Sequence, residues 1–138
     1  MKEKNITLPL ESVKTIKDEE RYEKGLEIQK PVFGDALDKM LQNVPGKIGE
    51  KTAKFSTETY FVDTYTRKFL DVKTRELINV IILIALGNMG LLKPHIGVAM
   101  KLGNSNEKIA APMLQYIPYI GGANAISAIL VSSEVCNK

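Results

Sequence analysis

The stretch Arg75–Gly103, RELINVIILIALGNMGLLKPHIGVAMKLG, decides how the rest of this chain is read. From Leu77 to Leu86 nine of ten residues are apolar, and Asn79 alone breaks the run. A helix with no polar face must be surrounded by protein on every side. The run is too short for a bilayer, which takes roughly 20 consecutive apolar residues. A buried strand is the competing reading, but the opening Asp71-Val72-Lys73-Thr74-Arg75-Glu76 and the unbroken length favour a helix. Beyond the break at Gly87 to Gly90 stands the chain's only histidine, His95, directly after Pro94. A buried helix, a glycine-containing turn and a histidine at the start of the next helix have the layout of an active site.

Composition bounds the function classes. The 138 residues are enough for one domain with a real core. With 19 Lys and Arg against 16 Asp and Glu, the net charge of +3 is mild and no basic block is present. That gives nucleic-acid binding little support and suits a small anionic organic substrate equally well. The single cysteine, Cys136, excludes an internal disulfide, CxxC chemistry and a cysteine-based metal site. One histidine and scattered carboxylates make no metal-ligand set, and no phosphate-cradling or dinucleotide motif is found, so no cofactor is expected. The N-terminus has no apolar signal core, and a cytoplasmic location with no membrane association is the expectation. The Asn5-Ile6-Thr7 sequon carries no weight without secretion.

Along the chain, residues 1–16 read as an extended arm and 17–138 as a single domain. Lys17 to Lys30 places Tyr22, Leu26 and Gln29 or Lys30 on one helical face, and Pro31 is expected to stop it. Gly34 to Val44 carries Leu37, Met40, Leu41 and Val44 at helical spacing, and Lys47 to Lys68 is another helix weakened by several Thr. After the histidine helix, closed by Gly103, Asn104 with Glu107 suggests a capping box for a helix that Pro112 and Pro118 should kink or shorten. Gly121-Gly122 separates it from a last helix, Ala123 to about Val135. The fold class is all-α, a bundle of six to seven helices. Ile81, Ile82, Ile84, Ile126, Ile129, Leu130 and Val131 are many aliphatics for so small a bundle, which predicts burial between identical subunits.

The order of these pieces resembles the carboxymuconolactone decarboxylase family, within the alkylhydroperoxidase D-like superfamily. The resemblance rests on RYEKGLEIQKPVFGDA from Arg21, VDTYTRKFLDVKTREL from Val62, and ALG followed by His95 and the Gly103-capped turn with Glu107-Lys108-Ile109. It covers Arg21 to about Leu130. It implies an all-helical subunit assembled as a trimer or hexamer, and removal of CO2 from a carboxylated γ-lactone without a cofactor. A second branch uses a CxxC dithiol with an upstream Glu and a downstream His. Glu76 and His95 match those two residues, but Asn88 and Leu91 stand where the cysteines would be. No thiolate is available there to attack a peroxide. Gly97 departs from the decarboxylase branch, which often carries an Arg two residues after the His, Glu76 stands where Ser is frequent, and Ala123 replaces a usual Pro. The substrate itself therefore does not carry over.

Decarboxylation leaves an electron pair that must move into a carbonyl, so the protein has to supply oxyanion donors, a cation for any remaining carboxylate, and a proton for carbon. His95 is the candidate proton carrier, expected to be neutral because a helix N-terminus disfavours imidazolium. Glu76 is the candidate orienting or second acid–base group. Arg67 and Arg75 are candidate carboxylate clamps, and Tyr65 and Tyr119 candidate pocket walls. Bland roles stand beside each: a solvated first-turns carboxylate for Glu76, ion pairs for the arginines, core or interface packing for the tyrosines. Two other classes compete. Val98 to Ala110 resembles a helix-turn-helix hinge, yet Ala111, Pro112, Met113, Leu114, Tyr116 and Ile117 are core residues rather than base-reading ones. The other is a relative without dithiol activity that serves as a non-catalytic oligomeric ligand binder.

Overall fold

Seven α-helices, a 3-10 turn and a π-helical segment account for the regular structure that a computed structural model describes, over residues 16–137. The expected 1–16 arm lies almost wholly outside the described residues. These divide into two compact units, 16–70 and 71–137. No strand occurs among the described residues, in agreement with the all-α reading, and no helix there is long and apolar enough to cross a membrane.

The first unit holds the turn Asp18–Glu20, α1 (Arg21–Phe33), α2 (Ala36–Leu41), α3 (Ile48–Ser56) and the π segment Thr57–Tyr65. The buried face of α1 is Gly25, Ile28, Gln29 and Val32; of the expected Tyr22, Leu26 and Gln29 or Lys30, Gln29 alone lies on it. Gly25 is the reason: a Cβ there would stand 2.5 Å from the Thr57 carbonyl oxygen, so only glycine lets α1 come this close to the π segment. Beside it, Thr57 donates its hydroxyl to Gln29 Oε1 at 2.8 Å, which satisfies two buried polar groups. Arg21 closes the other end, donating to Asp63 Oδ1 at 2.6 Å and to the Glu58 carbonyl at 3.0 Å.

The π segment has two sequence-level causes. Its buried residues, Thr57, Phe61, Val62 and Tyr65, followed by Thr66, recur four to five apart, wider than the α-helical repeat of about 3.6. The hydroxyls of Thr59, Thr64 and Thr66 also donate to the carbonyls of Phe55, Tyr60 and Val62, four residues back, and so loosen the α register. Phe33, Tyr60, Phe61 and Tyr65 then pack edge-on or tilted, with centroids 5.3–6.5 Å apart.

The second unit holds α4 (Val72–Ala85), α5 (Met89–Lys101), α6 (Asn106–Ile120) and α7 (Gly122–Cys136). Its core is Val80 and Ile84 from α4, Leu92, Ile96 and Ala99 from α5, Ile109 and Met113 from α6, and Ala128 from α7. The apolar run of α4 is not enclosed on every side as expected: Ile82 is 49% and Leu86 73% exposed. In a four-helix unit the neighbours cover one flank of α4, and the run continues round to the other. Buried Asn104 ties the unit together, its side-chain amide donating to the carbonyls of Lys73 and Ala99 at 3.1 Å each. It does not open α6; Ser105 does, accepting from the Lys108 amide.

Prolines break fewer helices than expected. Pro31 lies inside α1, which runs on to Phe33 and ends at Gly34 (φ 59°), and Pro112 and Pro118 lie inside a full-length α6. Each proline removes the hydrogen bond to the carbonyl four residues earlier. Those residues, Glu27, Lys108 and Leu114, all lie at exposed positions, where solvent is at hand to replace the lost donor.

Asp71 opens α4 as anticipated, accepting from the Thr74 amide at 2.7 Å. That backbone hydrogen bond holds its carboxyl below the ordinary 3.8. Because the folded value is the lower one, the cap's contribution is present above that ordinary pKa and is lost as pH falls through the folded value. Asp71→Ala is expected to cost about 1 kcal/mol at neutral pH, with the gap to wild type closing in strong acid; urea titrations at several pH values check this.

Candidate active site

Glu76 sits in the second turn of α4 and is fully buried, at 0% exposure. A carboxylate is tolerated there only if both oxygens find donors. They do. Oε2 lies 2.9 Å from His95 Nδ1, and Oε1 accepts from Asn79 Nδ2 at 2.8 Å. The spacing is built by two helices that pack side by side: Glu76 and Asn79 are three apart on α4 and share a face, while α5 brings His95 across to meet them. The imidazole keeps 20% of its surface exposed, so a buried carboxylate stands behind a ring that still reaches the outside.

Contact with Glu76 couples the ring hydrogen to the state of the carboxyl group. While Glu76 is ionised it only accepts, so Nδ1 donates to it, and in the neutral ring Nε2 then carries the basic lone pair. The expected cause of neutrality does not hold. α5 begins at Met89 with Asn88 as its cap, so His95 is its seventh residue, beyond the first turn where the helix dipole acts. The carboxylate, not the helix end, is the feature that governs this ring.

The other expected residues are spread more widely. Arg75 is 9% exposed on α4, one residue before Glu76. Arg67 is in the first unit and exposed, and its Nε donates to the Asp63 carbonyl at 2.8 Å. Tyr65, 2% exposed, belongs to the aromatic cluster of the first unit, and Tyr119 is 83% exposed near the end of α6. Leu114 and Ile117, read as core, are 65% and 40% exposed. They remain apolar, so α6 still offers little to read a base edge. Asn79 is the member that the sequence reading passed over as a mere interruption. Its signal was available: the single polar residue of an apolar run, one turn after the candidate carboxylate.

The sequence model of the carboxymuconolactone decarboxylase family matches residues 50–134, more than half of the chain. The chain belongs to that family. It is also 25% identical, over 119 residues, to the 4-carboxymuconolactone decarboxylase of Acinetobacter baylyi, an alignment covering 86% of this chain and 88% of that protein.

Asn88, Leu91 and Gly97 are three positions at which the sequence resemblance described above departs from the family's two branches. Asn88 and Leu91, which stand at the cysteine positions of the dithiol branch, form the opening of α5: Asn88 Oδ1 accepts from the Leu91 amide at 3.2 Å. Gly97, which stands where decarboxylase-branch members often carry Arg, faces open space, since a Cβ built there meets no heavy atom within 4 Å. Nothing in the packing of this chain requires glycine at that position. Two surface hollows of the first unit, about 250 and 290 Å³, have as their charged lining Asp38 and Glu50 in the one and Glu20, Glu23 and Glu27 against the single cation Lys24 in the other. Carboxylates repel an anion, so neither suits an anionic substrate.

Proposed function

We propose that this protein is a cofactor-independent carboxy-lyase that releases CO2 from a small carboxylated lactone or a related β-keto acid, with His95 as its proton carrier. The observation that carries the reading is the buried Glu76 carboxylate bonded to Nδ1 of a partly exposed imidazole. In the reaction the bond from the substrate carbon to its carboxylate breaks, CO2 leaves, and the electron pair moves into the conjugated carbonyl as an enolate. A proton from Nε2 of the protonated ring then closes the carbon, and solvent restores the ring. Glu76 holds the ring in place and stabilises the imidazolium while it exists, as a buried carboxylate does behind a catalytic histidine elsewhere. Arg75, buried on the same helix, is the guanidinium we assign to the substrate's carboxylate. For Arg67, Tyr65 and Tyr119 the placements above support an exposed backbone-bonded, a core and a surface role instead.

Family membership and the likeness to a decarboxylase support this reading. So does the presence of a single cysteine, Cys136, in the whole sequence, which leaves no dithiol and makes the acid–base pair the chemistry these residues can carry. The test is a panel of carboxylated γ-lactones and β-keto acids assayed for CO2 in D2O. Stoichiometric CO2 with one deuterium on the former carboxyl carbon is the expected result. Binding of such acids without any CO2 release would favour the non-catalytic ligand binder.

We also infer a homo-oligomer, a trimer or hexamer. Ile82 and Leu86 of α4 and Ile126 and Leu130 of α7 are 49–73% exposed in the single chain, an apolar area that a second copy would cover. Light scattering at micromolar concentration is expected to give a multiple of the 15.3 kDa chain mass; a monomer would remove the inference.

A further inference from the structure

We infer that Asn79 is a positioning residue for the Glu76–His95 pair, setting which nitrogen of His95 carries the hydrogen; the inference rests on the acid–base reading of that pair. Asparagine is a poor helix former, and a polar amide in the middle of Leu77–Leu86 has no packing advantage over leucine. Its position explains it. Nδ2 stands 2.8 Å from Glu76 Oε1, while Oε2 is 2.9 Å from His95 Nδ1. An amide has one end that donates and one that accepts, and turning Oδ1 toward Glu76 would set two acceptors face to face. The nitrogen therefore faces the carboxylate.

Two consequences follow from the shape of the carboxyl group. Its oxygens are rigidly linked, so a donor that fixes Oε1 also fixes the direction in which Oε2 presents its lone pairs. That direction is at His95. With Oε1 occupied by a donor, Oε2 is left to accept from Nδ1, and Nε2 becomes the basic nitrogen turned toward substrate. Without Asn79 the buried Oε1 lacks this donor, and the carboxyl group rotates toward whatever donor it can find. Nδ1 then loses its fixed acceptor, and the ring hydrogen redistributes between the two nitrogens. In this account Asn79 acts through Glu76.

His95 is the only histidine in the sequence, so protein labelled with 15N-histidine gives one pair of ring nitrogen signals with no assignment problem. Long-range proton–nitrogen NMR of the neutral ring is expected to show hydrogen on Nδ1 in the wild type. In Asn79→Leu, which has similar volume and no donor, the ratio of the two ring forms is expected to fall roughly ten-fold, the scale of one hydrogen bond to a charged group. Asn79→Val, smaller and likewise without a donor, is expected to do the same, so the measurement survives if the leucine variant does not fold. Wild-type signals persisting in folded Leu or Val variants would overturn the role given to Asn79 while leaving the pair intact. A wild-type ring with its hydrogen on Nε2 would instead remove the acid–base reading itself.

Discussion

Exchanging His95 for alanine is expected to lower turnover about 10²–10⁴-fold on any substrate the wild type decarboxylates, the usual contribution of a positioned general acid or base. The alanine also leaves Glu76 Oε2 without its Nδ1 donor in a fully buried site, which costs about 1–3 kcal/mol of stability. Asparagine separates the two effects. His95→Asn puts an amide N–H near the place of Nδ1 and offers nothing at Nε2, so it is expected to keep the fold and lose the activity. Melting curves with a carbon dioxide assay of both variants check this. A folded asparagine variant turning over at the wild-type rate would retire the ring as proton carrier. Glu76→Gln tests the other half of the pair. An amide of the same shape can present its N–H to Nδ1 and force the hydrogen onto Nε2, and the equivalent exchange in the serine-protease triad costs about 10⁴-fold.

A pair of glycine substitutions is expected to move stability in opposite directions. At Gly25 an added methyl would lie 2.5 Å from the Thr57 carbonyl oxygen and 2.7 Å from its Cγ2, and the first of these is backbone. Neither atom can swing away alone, so α1 and the π segment must part, disturbing the Thr57–Gln29 bond. Overpacking of this kind costs about 1–3 kcal/mol or somewhat more, exceeding the roughly 0.5–1 kcal/mol that alanine gains over glycine inside a helix. Gly25→Ala should therefore unfold at clearly lower denaturant. Gly97 has open space and lies in mid-helix, so Gly97→Ala should gain about 0.5–1 kcal/mol. Equal midpoints for the two variants would refute the close-contact account of Gly25.

Those two glycines also show where the sequence was legible. The spacing of α4, the Asp71 cap, the Gly103 stop and the match of Glu76 with His95 were all readable, because each depends on residues near one another in the chain or on a shared motif order. Pro31, Pro112 and Pro118 misled because the cost of a helical proline depends on whether water reaches one distant carbonyl, which is a tertiary fact. The buried face of α1 turned on Gly25 meeting Thr57, thirty-two residues away. The π segment could not be seen because its period differs from 3.6 by less than one residue per turn over two turns. At the site, Glu76 and His95 were named together, but the reason given for the ring's state was the helix end. Counting from Asn88 rather than from Pro94 moves that end two turns away.

Asn88 carries one last implication, about the helix that bears the imidazole. A thiol at residue 88 would leave the first turn of α5 with a sulfur, a feeble acceptor, in the role now filled by Oδ1, at a loss of about 1 kcal/mol. α5 would then fray from its opening turn, so an exchange that touches neither Glu76 nor His95 would still loosen the footing on which the ring stands.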